Sequence, residues 1–241
     1  MIRTLIIGIV LFVLFALIFA PASLLRTLVP VTSGVELLEP SGTLWDGAVD
    51  LYLGGQPAGR LSFDFDPAAL ARGALGYDVA LAGPEHDLTG RVSLAPGAGE
   101  ATLRGRASAE FANRWLAAYD IAVAGELDFR DAHVHIPYDV RTTGAGRSSG
   151  NLAWTGGPVR YILSGRPYGG DLPPLVAYLG EGLETVVIPA NGQTPLLRGE
   201  VLPDGFVRIS VTKLLTRLAG NPWPGSHPDH EVVLEVEEQL F

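Results

Sequence analysis

Residues Leu5 to Ala22 form an unbroken apolar run, and the uncharged window around it extends from Thr4 to Leu25. At about 1.5 Å per residue, a helix over this run rises roughly 27 Å, close to the hydrocarbon thickness of a bilayer. Pro21 stands at the far end, where such a helix would stop. From Val31 onward the pattern changes: short apolar runs alternate with polar residues between frequent Gly and Pro. That predicts many short strands joined by turns. Gly59 to Phe65 has period two, with Leu61, Phe63 and Phe65 on one face. Glu126 to Ile136 alternates likewise, with Leu127 and Phe129 on its apolar side. Further strands are predicted over 48–53, 77–82, 88–94, 100–107, 152–154, 160–164, 185–189, 196–202, 206–210 and 231–240.

Helical spacing is rarer. Ala107 to Tyr119 carries Phe111, Trp115, Leu116 and Tyr119 on one face. Ser210 to Ala219 carries Leu214, Leu215 and Leu218 before Gly220. Pro67 to Arg72 and Pro174 to Leu179 predict short helical turns, the first with its proline where helix starts permit one. A weak repeat, Gly-x-Leu-x-aromatic, stands at Gly59–Phe63, Gly125–Phe129 and Gly150–Trp154, with a shortened form at Gly42–Trp45. Glycine is expected to make a turn there, and the two following apolar side chains share a sheet face.

The fold class is therefore mainly β: a twisted antiparallel β-sheet with a few short helices, two similar halves, preceded by one transmembrane helix. Residues 1–26 form a cytoplasmic start and signal anchor. Residues 27–241 form one β-rich domain, with the repeat dividing it into 42–120 and 125–220. Trp45, Phe63, Phe65, Phe111, Trp115, Phe129 and Trp154 are expected in the core or on the sheet face. A second reading of the N-terminus is a signal peptide cleaved after Ala22, at Ala20-Pro21-Ala22. The apolar run exceeds the usual 7–15 residues of such a peptide, which favours a retained anchor.

Charge narrows the partners. Of 17 basic residues Arg3 and Arg26 flank the apolar run, leaving 15 against 26 acidic residues in the remainder. So acidic a domain is a poor nucleic-acid binder. Arg3 and the α-amine lie ahead of the run, so the positive-inside rule puts the N-terminus in the cytoplasm and the domain outside. The absence of cysteine excludes disulfides and thiol catalysis.

Candidate chemistry is thin. Gly146-Arg147-Ser148-Ser149-Gly150 matches G-x-S-x-G, but that motif works only as a strand–turn–helix elbow. Here a strand follows, and the stretch reads as a hairpin loop. His133 and His135 share a strand face without an evident third metal ligand. His227, Asp229 and His230 sit among Pro and Gly, as in a loop. Asp64/Asp66 and Glu235/Glu237 read as solvated strand faces. Glu235, Glu237 and Gln239 share a face with Phe241, which argues against a lipid-facing barrel strand. The expectation is no catalytic residue, no cofactor-binding residue and no metal site.

The apolar helix followed by Gly42-Thr43-Leu44-Trp45-Asp46-Gly47 resembles the type II secretion system protein N family. Its members carry a G-T-[LVI]-W-x-G element soon after a membrane helix. The glycine-led strand Gly59 to Phe65, the step Ala68-Ala69-Leu70-Ala71-Arg72-Gly73 and the strand Gly150 to Trp154 extend the resemblance over residues 1–220. It implies an inner-membrane accessory component of the machine that exports folded proteins across the outer membrane. It further implies contacts with other inner-membrane secretion proteins and no enzymatic activity. The strand-rich pattern is also similar to AsmA-like envelope proteins. That alternative implies a domain that handles lipid or another hydrophobic ligand.

Overall fold

The computed structural model describes residues 2–28, 34–138, 146–202 and 206–239. Helix α1 (Ile2–Ile18) is followed by a 3-10 turn (Ala22–Leu24) and a short helix α2 (Leu25–Leu28). The side chains of α1 over Leu5–Ile9 and Leu11–Ile18 stand largely uncovered, Phe12 at 71% exposure. Among the described residues no helix is long and apolar enough to cross a membrane. The helix has 17 residues.

The remaining chain is antiparallel β-structure. Strands β1 (Val35–Gly42), β2 (Asp46–Leu53), β3 (Gln56–Asp66), β4 (Leu75–Gly83), β5 (His86–Ala95) and β6 (Ala98–Ser108) pair in sequence order. A helical turn α3 (Pro67–Leu70) joins β3 to β4, capped by Asp66, whose carboxylate accepts from Ala68 N at 2.9 Å. Helix α4 (Ala109–Leu116) leaves the end of β6. After it come β7 (Ile121–Val123), β8 (Glu126–Pro137), β9 (Arg147–Trp154), β10 (Gly157–Leu163), β11 (Arg166–Leu172), β12 (Leu175–Leu179), β13 (Thr185–Pro189), β14 (Leu197–Val201) and β15 (Phe206–Thr212). Helix α5 (Lys213–Leu218) again leaves a strand end, and β16 (Val232–Gln239) closes the order.

Among the described residues thirteen strands make one sheet, β1-β2-β3-β4-β5-β6-β8-β9-β12-β13-β14-β15-β16, and β11-β10-β7 make a small second sheet. Period two gives the large sheet two unlike faces. On one, residues directly opposite each other are apolar: Leu152, Ala177, Val187, Leu197, Val211 and Leu234 align across six strands. On the other, directly opposed charges pair: Asp50 with Arg60, Asp78 with Arg91, and Arg208 with both Glu200 and Glu237. Each such exposed pair is worth under about 1 kcal/mol, so the apolar face carries the stability. Glu235 and Glu237 lie on this polar face, the former accepting from Ser210 Oγ at 3.3 Å.

Long twisted sheets coil or split, and bulges provide the bend. Two repeat glycines serve that end. Gly59 (φ +123) lies in β3 beside a register shift, and a Cβ there would meet Ala82 O at 2.7 Å. Gly150 (φ +99) lies in β9 opposite a bulge of β8, where a Cβ would run into Asp131 O. The expectation that these glycines make turns is corrected: they sit inside strands and let neighbouring backbones approach.

Two further expectations are corrected. The expected helical turn over Pro174 to Leu179 is instead strand β12, Leu175–Leu179. β12 pairs on one side with β9 and on the other with β13, which satisfies its backbone groups on both edges. Residues 147–150 belong to β9 rather than to a hairpin loop. Strands β1, β7 and β11 carried too little alternation to be read from sequence. Of the expected aromatic core, Phe63 is buried at 7% exposure, while Trp45, Phe65, Phe111, Trp115, Phe129 and Trp154 are half-buried on or against the sheet.

Candidate functional site: the helix junction and the apolar cavity

The element Gly42–Gly47 is the β1–β2 connection. Thr43 N donates to Asp46 O at 2.8 Å, and Thr43 Oγ1 accepts from both Trp45 N and Asp46 N at 3.2 Å. This hydroxyl-braced turn is a common use of threonine. It points Leu44 and Trp45 at the end of α1. Leu44 N donates to Ala20 O at 2.8 Å, Pro21 forms a β-bridge with Thr43, and Trp45 Nε1 donates to Leu17 O at 2.8 Å. The Leu17 carbonyl also accepts from Ala20 N at 3.3 Å, so the indole is the second and shorter of its two donors at the helix end. The Trp45 ring meets Phe65 edge-on at 4.9 Å, and Phe65 meets Tyr77 at 5.5 Å. Burial pushes the Tyr77 phenol above its usual pKa. Beneath lie Ala22, Val49 and Phe63, with Leu25 and Leu37 packed around them. Arg26 Nε donates to Leu37 O at 2.8 Å on the outer strand β1. The apolar helix is thus tied to the sheet by its last turn.

Helix α4 is seated from several sides. Trp115 Nε1 donates to Leu53 O at 3.1 Å, and Arg114 pairs with Glu85 while donating to Pro57 O. Asn113 exchanges two hydrogen bonds with the backbone of Val123, at 2.8 and 2.9 Å, in the manner of a neighbouring strand. Phe111 lies 4.1 Å, centroid to centroid, from the ring of His86, which is 6% exposed. Neither His86 nitrogen has a hydrogen-bond partner among the described residues. Burial first, and the Arg114 charge second, hold its pKa below the usual value, against weaker opposite pulls from Glu85 and Asp87.

Between the small sheet, the second half of the large sheet and the two helices lies a cavity of about 600 Å³. Its floor is the aligned apolar row, including Val187, Leu197 and Val211, with Leu127, Trp154 and Leu175 beside it. Leu116 of α4, Leu215 of α5 and Val159 and Tyr161 of β10 complete the walls. The Trp154 indole is satisfied by Ala124 O at 2.8 Å. The Thr216 hydroxyl donates to Lys213 O at 2.9 Å and accepts from Trp223 N at 3.2 Å. Thr212, at 2% exposure, anchors the start of α5 by donating to Pro195 O and Leu196 O.

The residues singled out in the sequence do not converge. Ser148 is 7% exposed, and its hydroxyl donates to Gly180 O at 2.7 Å within a strand setting. It occupies no nucleophile elbow. His135 Nδ1 lies 3.0 Å from Glu100, while His133 opposes Thr102 and Ser149 across the sheet. His227 pairs with Glu231 and Asp229 with Arg217. Among the described residues no three His, Asp or Glu side chains gather as a metal-binding set.

A model of the type II secretion system (T2SS) protein N family matches residues 33–214, from the start of the sheet to the start of α5. The chain belongs to that family. It is therefore a component of type II secretion. The match begins beyond α1 and ends before β16, so it includes the Gly42–Gly47 side of the helix junction but neither α1 nor the last strand. No curated protein and no solved structure matches the chain.

The expectation drawn from Gly42–Gly47 thus acquires a physical role: this protein N element fastens the sheet to the apolar helix. The cavity was not legible in the sequence. Its walls come from strands distant in the chain, and only the apolar side of each strand was visible beforehand.

Proposed function

We propose that this protein N family member is an accessory component of the type II secretion apparatus, held in the inner membrane by α1. In this reading its N-terminus is cytoplasmic and its β-domain periplasmic. It works by protein contacts, without catalysis, in the export of folded proteins across the outer membrane. The observation that carries the reading is the family match, whose domain is bonded through Trp45 and Leu44 to the end of an apolar helix. The 17 residues of α1 rise about 25 Å, and the largely uncovered apolar side chains along it suit a lipid environment. Tryptophan at a helix end suits the boundary between lipid and water, where its ring is apolar and its N–H needs a partner.

Contacts with other inner-membrane proteins of the apparatus would use the sheet edges. An edge strand presents unpaired N–H and C=O groups that a partner strand can complete. β1 is partly closed by Arg26, whereas β16 pairs only with β15 among the described strands. Deletion of the gene tests the reading. Loss of secreted exoproteins with an intact detergent barrier is expected. Normal secretion with detergent sensitivity would overturn it in favour of the AsmA-like, hydrophobe-handling alternative. N-terminal sequencing of the membrane fraction should return Met1 or Ile2, and a start at Ser23 would remove the anchor.

A further inference from the structure

We propose that the cavity beneath α4 and α5 is a binding site for one acyl chain of a membrane lipid. A void of about 600 Å³ is far larger than close-packed interiors leave, and falls within the range of small-ligand pockets, about 300–1,000 Å³. Its depth is sealed, with Leu196 at 0% and Val159 at 9% exposure. Its mouth is open, since Leu163, Leu234 and Trp223 line it while remaining 50%, 43% and 38% exposed. A slot closed at depth and open at one rim fits a chain end entering from outside.

The chemistry of the walls selects the occupant. Two polar side chains of the lining are engaged with the protein itself: Trp154 with Ala124 O, and Thr216 with Lys213 O and Trp223 N. A polypeptide segment would bring an N–H and a C=O with every residue and leave them unpaired against Leu, Val and Ala, at a high desolvation cost. A hydrocarbon chain brings no such groups. The lining's other polar groups are the Asn221 amide, the Tyr161 hydroxyl and the Trp223 indole N–H, against a wall otherwise of Leu, Val, Ile and Ala. A membrane source follows from the proposed anchoring of α1, and to that extent the inference rests on that reading.

The test uses the full chain in living cells that have incorporated a photoreactive diazirine fatty acid into their lipids. After irradiation, adducts are located by peptide mass spectrometry. Phospholipid-mass adducts are expected on peptides of β12 to β14 and α5, as well as on α1. A fatty-acid-mass adduct on the same cavity peptides also supports the hydrocarbon site and names the unesterified acid as its source. Adducts on α1 alone overturn the proposal while leaving the anchor intact. Absence from α1 overturns the anchor instead. Val187→Trp, which fills the floor, should abolish cavity labelling, whereas Leu94→Trp on the same sheet face away from the cavity should not. Undiminished labelling in a folded Val187→Trp protein overturns the proposal. If that variant fails to fold, Val187→Phe takes its place, and the wild-type adduct map decides by itself.

Discussion

The indole N–H of Trp45 donates a 2.8 Å hydrogen bond to the carbonyl oxygen of Leu17, 28 positions earlier in the chain. One side chain thus adds a second donor to a helix-end carbonyl and packs its ring on Phe65. Two substitutions separate these roles. Trp45→Phe keeps the ring and removes the donor, at an expected cost of about 1 kcal/mol. Trp45→Ala removes both, at about 2 kcal/mol, below the ~3–5 kcal/mol of a fully buried tryptophan because the ring is half-buried. Urea denaturation of the purified chain in detergent measures both. Identical midpoints for wild type and Trp45→Ala would sink the packing role.

His86 should make stability depend on pH. The fold favours its neutral form, since burial and Arg114 lower its pKa, while in the unfolded chain it titrates near its ordinary value of about 6.5. Below that value the unfolded state binds the extra proton, so stability falls as pH drops from about 7.5 to about 5.5. Thermal midpoints of wild type should decline over this range, and those of His86→Leu should decline less. Parallel declines would show that other groups are responsible.

The bulge glycines should be intolerant where an open glycine is not. Gly150→Ala forces a Cβ against the Asp131 carbonyl at positive φ, for an expected loss of about 2–3 kcal/mol. Gly55→Ala, also at positive φ (+76) but with nothing within 4 Å, should lose about 1 kcal/mol. Chemical denaturation of both ranks them, and equal losses would contradict the close approach of β8 to β9.

Thr212→Val keeps shape but leaves the carbonyls of Pro195 and Leu196 without the hydroxyl at the start of α5. A loss of about 1–2 kcal/mol is expected. Faster amide exchange should be confined to α5 and β15, which hydrogen exchange by mass spectrometry would locate. Exchange unchanged in α5 would refute the anchoring role of Thr212.

Much of the strand content was present in the sequence, because alternation such as Leu61-Ser62-Phe63-Asp64-Phe65 admits one buried and one solvated face. The same logic gave α4 from Phe111, Trp115 and Leu116. It failed at β12, where a Pro-flanked run carries no pattern of its own and becomes a strand only by pairing with β9 and β13. It failed also for Gly59 and Gly150, since a bulge and a turn ask the same φ of glycine and differ only in what lies across the strand.

The amino-acid sequence by itself determined the apolar helix, the mainly antiparallel β-class and the protein N element at Gly42–Gly47. These follow from local periodicity, hydropathy and a short motif, all readable along one stretch of chain. Only the tertiary structure decided that Trp45 reaches Leu17, that His86 is sealed beneath Phe111, and that two sheets and two helices enclose an apolar cavity. Each of those depends on which distant segments meet, and side-chain periodicity states what a strand must bury without stating against what.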